Sequence, residues 1–295
     1  MIEKQFNIAI DPDVQPEGSP PIDKVLYLSG VRTDLARILK SEAGRYLAAS
    51  LRFHSKEVLL VPYPGEDGNA QESWWGSSPK DNYSMVRFTP ASGRSPCGGE
   101  IRKKQPASLP HEVLFHELVH SLRRISGKMH RFSLWGTGTL SSQGNNEEFI
   151  AIMVTNIFIS DVTNTCKTGL RDNWVGHSPL DPALAESYRF FALGTKAFNL
   201  IATFCDDNPG FTQMLSKVRA HFNPIAAYYK NRRKAFEIAA NGDSEYVFAH
   251  LPPRDYYQNE KGMWTRLVPF PSLHQWGCMA SRKQWWRAQW LGNGC

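Results

Sequence analysis

The chain holds no run of about eighteen apolar residues, so no segment reads as a membrane-spanning helix. Its first residues, Met1-Ile2-Glu3-Lys4-Gln5-Phe6-Asn7, lack the apolar core of a secretory signal. Synthesis in the cytoplasm without a general secretory leader is therefore expected, with export, if any, by a specialised secretion system. Cysteine is scarce: Cys97, Cys166, Cys205, Cys278 and Cys295 are five residues with no C-x-x-C pair among them. An odd count in so long a chain argues against a disulfide framework and for ordinary thiols in a reducing compartment. No internal repeat is visible. Charge of one sign is never concentrated: the net charge is +6, and the one short basic cluster, Lys230, Arg232, Arg233 and Lys234, has the character of a solvated helix face. No nucleic-acid partner is expected.

What is present is a globular composition, 41% hydrophobic and 21% charged over 295 residues. That length allows one large domain or two small ones. Residues 1–24 are polar and Pro-rich, a strand or coil and a loose arm. Thr33 to Ser50 has the periodicity of one amphipathic helix, with Leu35, Ile38, Leu39, Tyr46 and Leu47 on its apolar side. Glu57–Pro62 and the alternating Tyr83–Thr89 are strand patterns, and 64–82 reads as a loop. Asn145–Ile159, apolar nearly all round, predicts a buried helix, with a strand as the alternative. Pro182–Phe204 predicts a third helix, and Phe211–Val218 and Pro224–Ala240 two more. The pattern divides the chain into an N-terminal α/β part (1–107), a helical part (108–240) and a C-terminal extension (241–295). The extension has no period but carries Trp264, Trp276, Trp285, Trp286 and Trp290, suited to contact with a partner or a membrane surface, or to being covered by one.

The chemistry lies in His116-Glu117-Leu118-Val119-His120. The surrounding marks predict a helix: Ser108 as N-cap, Pro110 in the first turn, Arg123 and Arg124 in the last turns and Gly127 as the stop. On a helix, imidazoles four residues apart lie on one face, one turn above each other, and both can reach one zinc ion. The glutamate beside the first histidine is then the general base for a metal-activated water. A second frame, His111-Glu112-Val113-Leu114-Phe115, starts alike but ends in Phe, and His111 should point elsewhere, as a structural or solvent-facing residue. Leu114, Phe115, Leu118, Leu122 and Ile125 give the helix a packing side.

Catalytic zinc takes three protein ligands and leaves one position open. The third ligand is sought in Glu147-Glu148, a carboxylate pair at the mouth of an apolar helix. With Asn145 as N-cap, Glu148 falls at N3 and suits a capping box, which favours Glu147 as the ligand and leaves Glu148 as the alternative.

His-Glu-Leu-Val-His followed beyond a Gly-rich loop by Asn-Glu-Glu resembles the gluzincin branch of the zincin metallopeptidases, and within it bacterial effector proteases and clostridial neurotoxin light chains. The resemblance covers about residues 83–160 and rests on two short motifs. The metzincin extension is absent, since Arg123 stands where it requires Gly. The resemblance implies an α+β, zincin-like fold, with a small mixed sheet over the active-site helix and a mainly helical C-terminal half. It implies Zn2+ as cofactor, the first Glu of the pair, Glu147, as ligand, and a protein or peptide substrate laid along an edge strand, for which Tyr83–Thr89 stands in the expected place. It also implies an Arg or Tyr to stabilise the oxyanion. Tyr188 is favoured for that role, with Arg189, Arg171, His177 and the Arg254–Tyr257 pair as the other candidates. The function expected is zinc-dependent peptide hydrolysis, in a bacterial effector or toxin. The competing class is a non-catalytic binding protein stabilised by the metal.

Overall fold

The structure is a computed structural model. It describes residues 2–14, 21–63, 70–75, 83–90, 105–129, 131, 134, 144–173, 177–185, 187, 190, 195–230, 256–258 and 264–266. The Trp-rich extension, apart from the backbone of two short strands, lies outside these residues.

The fold is α+β. A short helix α1 (Glu3–Phe6) leads through Asn7, in the left-handed region, into β1 (Ile8–Ile10). Two helices follow, α2 (Lys24–Lys40) and α3 (Glu42–Phe53), then strands β2 (Val58–Pro62), β3 (Ala70–Trp75) and β4 (Tyr83–Phe88). The sheet order is β1-β2-β4-β3. β1, β2 and β4 are parallel, and β3 runs antiparallel to β4, with Glu72 opposite Val86.

Two expectations change here. Residues 70–75 are a strand, not part of a loop, and they form the edge of the sheet. Tyr83–Phe88 lies inside the sheet, hydrogen-bonded on both sides, so it is not the edge strand. Alternation in Tyr83–Thr89 reports the half-buried pleat of an inner strand equally well, and the polar Ala70-Gln71-Glu72-Ser73 gives no apolar period to detect.

The single helix expected over Thr33–Ser50 is two. α2 begins nine residues earlier and takes in Val25–Leu28, capped by the Asp23 carboxylate on the Val25 and Leu26 amides. At Ser41 the chain turns: its hydroxyl donates to the Ile38 carbonyl and accepts from the Gly44 amide at 2.8 Å. The turn needs glycine at 44, because a Cβ there would stand 1.9 Å from the Ile38 oxygen. The buried Asp161 carboxylate accepts the Ala43 amide, tying the start of α3 to the loop that follows the metal-site helices.

Helix α4 (Pro110–Ile125) packs beneath β3 and β4 and against α2, α3 and α5 (Asn146–Ser160). Leu114, Phe115, Leu118, Leu122 and Ile125 are all buried, and Phe115 stacks on Phe158 of α5 with ring centroids 4.2 Å apart. α5 is a helix buried on nearly every side. The third predicted helix is shorter than expected: a 3-10 turn at Pro182–Leu184, then α6 (Thr195–Asp207). Next come α7 (Pro209–Leu215) and a helical stretch over 224–230. A two-stranded antiparallel pair, β5 (Tyr256–Gln258) and β6 (Trp264–Arg266), lies beyond. Among the described residues no helix is long and apolar enough to cross a membrane. Cys166 is disulfide-bonded, against the expectation of five ordinary thiols, whereas Cys205 is a buried free thiol.

Candidate active site

The site is built on two helices whose ends are locked together. α4 starts at Leu109, not at Ser108: the Ser108 hydroxyl turns back to the Gln105 carbonyl. The first turn is held instead by Glu112, whose carboxylate accepts the Leu109 amide at 3.0 Å and the Thr168 amide and hydroxyl at 2.8 Å each. Burial pushes the Glu112 carboxyl up to about 7. Beside it the His111 ring turns away from the site and meets the Cys166 carbonyl at 2.8 Å. At its other end α4 stops at Gly127, which adopts a φ of 69°. The Asn145 side chain caps α5, accepting the amides of Glu147 and Glu148 at 3.0 Å each.

Residues 116, 120 and 123 of α4 face α5, each one turn from the next. His116 and His120 are buried, with their Nε2 atoms 3.2 Å apart. The carboxylate that meets them is Glu148: Oε2 is 3.1 Å from His116 Nε2 and Oε1 is 3.4 Å from His120 Nε2. Glu147, the expected ligand, is turned to Arg123. Its two oxygens accept Arg123 Nε and Nη2 at 2.8 Å each, and the guanidinium also meets Asp207 at 3.2 Å and lies over the Phe204 ring. Glu147 and Glu148 are about 100° apart round the helix, so one can face the histidines and the other Arg123. A buried arginine one turn beyond the second histidine requires a carboxylate of its own. Arg123 is thus the sequence signal that separates the two glutamates, and its place as a basic residue near the helix end concealed it.

The three donors suit a tetrahedral cation. Bonds of 2.0–2.1 Å place tetrahedral ligands about 3.3–3.4 Å apart; the two Nε2 atoms are 3.2 Å apart, and the Glu148 carboxylate meets His116 with one oxygen at 3.1 Å and His120 with the other at 3.4 Å. His116, His120 and Glu148 together are a group that could hold a metal ion. The Nδ1 atoms of both histidines are buried and find no hydrogen-bond partner among the described residues.

The three groups shift one another's protonation. Burial lowers His116 to about 4. Burial also opposes charge on His120, but Glu148, helped by Glu117 and Glu72, outweighs it and raises that ring to about 9. Burial acts against the Glu148 carboxylate, yet His120 and His116 hold it far below the usual carboxylate range.

Glu117 faces the sheet rather than α5. Its Oε2 accepts the Glu72 amide of β3 at 2.7 Å. Burial, with Glu148 and Glu72 adding to it, pushes its carboxyl up to about 7 against the pull of His120. Of the residues considered for the oxyanion, Arg171 feels the charges of Glu148 and Glu117, while its Nε donates to the Asn173 carbonyl. It is buried, its main chain is clamped by the Asn156 amide of α5 at 2.8 and 2.9 Å, and burial lowers it to about 10 although Glu148 and Glu117 raise it. The His177 ring instead meets the Pro106 carbonyl at 2.9 Å. Tyr188, Arg189 and Arg254 lie outside the described residues, as does the Tyr257 side chain.

An H-E-x-x-H helix, a carboxylate from the following helix and a mixed sheet with an antiparallel edge above them are the arrangement that the resemblance to zincin-type metallopeptidases implies. Residues 23–158 match the model of the peptidase M91 family, described as effector protein. The match runs from the cap of α2 almost to the end of α5, and so includes the sheet, the H-E-x-x-H helix and the Glu147-Glu148 pair; over this segment the chain is similar to peptidases of the effector kind. No curated protein and no solved structure matches the chain.

Proposed function

We propose that the protein is a zinc-dependent endopeptidase acting on a protein substrate, delivered as an effector outside the cell that makes it. The observation that carries this reading is the convergence of His116, His120 and Glu148, with ligand atoms within 4.8 Å of one another, beside Glu117. His116 and His120 supply neutral Nε2 donors and Glu148 a carboxylate oxygen, leaving one position open. When bound there, zinc supplies Lewis acidity: it polarises the scissile carbonyl and brings the pKa of a water to about 7.

The rest is done by the chain itself. Glu117, with a carboxyl near 7, takes a proton from the attacking water and returns it to the leaving amine. Arg171 supplies positive charge for the tetrahedral oxyanion, its position supported by the Asn156 clamp. An extended substrate adds to β3, an edge strand of the sheet among the described residues, where main-chain pairing favours a peptide.

Zinc stoichiometry and cleavage of a host-cell proteome, compared between wild type and Glu117→Gln, test the reading together. One zinc per chain in both, with new protein termini in the wild type alone, is the expected result. A wild type that takes up no zinc, or cleavage surviving in Glu117→Gln, overturns it.

A further inference from the structure

The stripe of α4 that faces the sheet is Glu117, Ser121 and Arg124, spaced four and three residues apart. Glu117 and Arg124 meet one residue of the edge strand, Glu72, and Ser121 reaches it through Ser84. Its side chain is buried although it lies on the outermost strand. The Arg124 guanidinium grips that carboxylate with two nitrogens, Nε on Oε1 and Nη2 on Oε2 at 2.9 Å. Ser84 of β4 donates to the same carboxylate at 2.7 Å, Ser84 and Ser121 are 2.9 Å apart, and Ser121 donates to the Glu117 carbonyl at 3.0 Å. Arg131 approaches from the loop at 3.6 Å. The main chain of this same Glu72 donates its amide to the Glu117 carboxylate at 2.7 Å.

An edge strand is ordinarily the least constrained strand of a sheet. Here the side chain of one residue is bound two turns along the helix from the place where its amide is bound. Because that amide goes to Glu117, the Glu72–Val86 pair is a non-hydrogen-bonded pair of the ladder, and the outward backbone groups of the edge fall at Ala70, Glu72 and Trp74. The general base therefore sits on one of the donors of the substrate-pairing edge. Its orientation depends on where the strand is held, and the strand is held by the Arg124 fork.

Resting on the peptidase reading of Glu117, we infer that Arg124 and Glu72 are positioning residues for the general base: their buried ion pair fixes the edge strand so that the Glu72 amide orients the Glu117 carboxylate. Neither residue contacts the metal donors. Their loss should misplace the base and leave the His116, His120 and Glu148 cluster intact.

Amide hydrogen exchange by NMR on the zinc-loaded full-length protein reads this without a substrate. The Glu72 amide of wild type should exchange slowly although it lies on a free edge, because an amide bound to a carboxylate is well protected. Arg124→Ala and Glu72→Gln should each speed exchange at residue 72 by about tenfold or more, with one zinc per chain retained and the β4 amides unchanged. Arg124→Lys, which keeps the charge but not the fork, should recover part of the protection. Glu72 protection unchanged in both Arg124→Ala and Glu72→Gln overturns the inference. So does a loss of protection spread equally over β4 and accompanied by loss of zinc, which would make the pair scaffold alone. Glu117→Gln decides the peptidase reading separately: that variant still cleaving in the proteome experiment removes the base, whatever the Glu72 amide does.

Discussion

At the scale of residues, the two glutamates opening α5 have different work, and their exchange with Gln separates it. Glu148→Gln replaces an anionic oxygen facing both imidazoles and should cost more zinc affinity than any substitution outside the donor set. Glu147→Gln leaves the donors in place but weakens the Arg123 fork that sets the start of α5, and a loss within about 10–100-fold is expected. Competition with a zinc indicator measures both, and equal losses would contradict the division of roles. Protons report on the same site. In the metal-free protein His120 is raised to about 9, so near pH 7 it is charged and must lose its proton to become a donor. Zinc uptake at pH 7 should therefore release about one proton, seen as a buffer-dependent heat in calorimetry, and affinity should rise with pH until about 9. The sign for folding is opposite. A histidine raised above its ordinary 6.5 stabilises the metal-free fold fully below about 6.5, and that contribution is lost as pH rises through about 9.

Among the elements, α4 and α5 were legible in the sequence because their signals are local and redundant. The H-E-x-x-H spacing, the apolar set from Leu114 to Ile125, Asn145 as cap and Gly127 as stop all recur in the structure. What was not legible depends on partners distant in sequence. Ser41 and Gly44 make a helix corner only through Ile38 and the Asp161 cap arriving from across the fold, and the periodicity of Thr33–Ser50 runs through that corner unbroken. The 70–75 strand is polar because its inward Glu72 is satisfied by Arg124 and Ser84, so the alternation that normally betrays a strand is missing. Glu147 is turned away from the histidines for a related reason. Its competitor for attention was a cap, whereas its actual partner, Arg123, is 24 residues away. That fork is what joins the elements α4, α5 and α6. Arg123→Ala leaves the fully buried Glu147 charge uncompensated and should destabilise the fold by about 3–5 kcal/mol, whereas Arg123→Met with Glu147→Leu should cost far less. Chemical denaturation of the single and double variants measures the difference, and equal costs would show that the fork does not set the energetics of this junction.

For the whole molecule, the sheet, α2 to α7 and the helical turn at 224–230 share one hydrophobic core, from Phe6 through Phe115 and Phe158 to Tyr228. The candidate metal donors sit inside that body and come from two helices that are otherwise joined by apolar packing and the Arg123 fork. A cation held by His116, His120 and Glu148 binds only the folded arrangement, so its binding free energy appears as stability of the whole unit. At a free zinc concentration a hundred times the dissociation constant the gain is about 2.7 kcal/mol. For a cooperative unit of this size, each kcal/mol shifts the midpoint by roughly 2–4 °C, so zinc should raise Tm by about 5–10 °C over chelator-treated protein. The size of the shift is less diagnostic than where it disappears. Glu148→Gln should abolish most of it, Glu147→Gln should retain it on a lower baseline, and Glu117→Gln should retain it in full, since Glu117 is turned to the Glu72 amide rather than to the donor cluster. Differential scanning fluorimetry of the four proteins, with and without zinc, checks this pattern. A zinc shift that survives in Glu148→Gln would mean that the cation is held elsewhere, and would remove the metal from the helices that the rest of the fold is built to align.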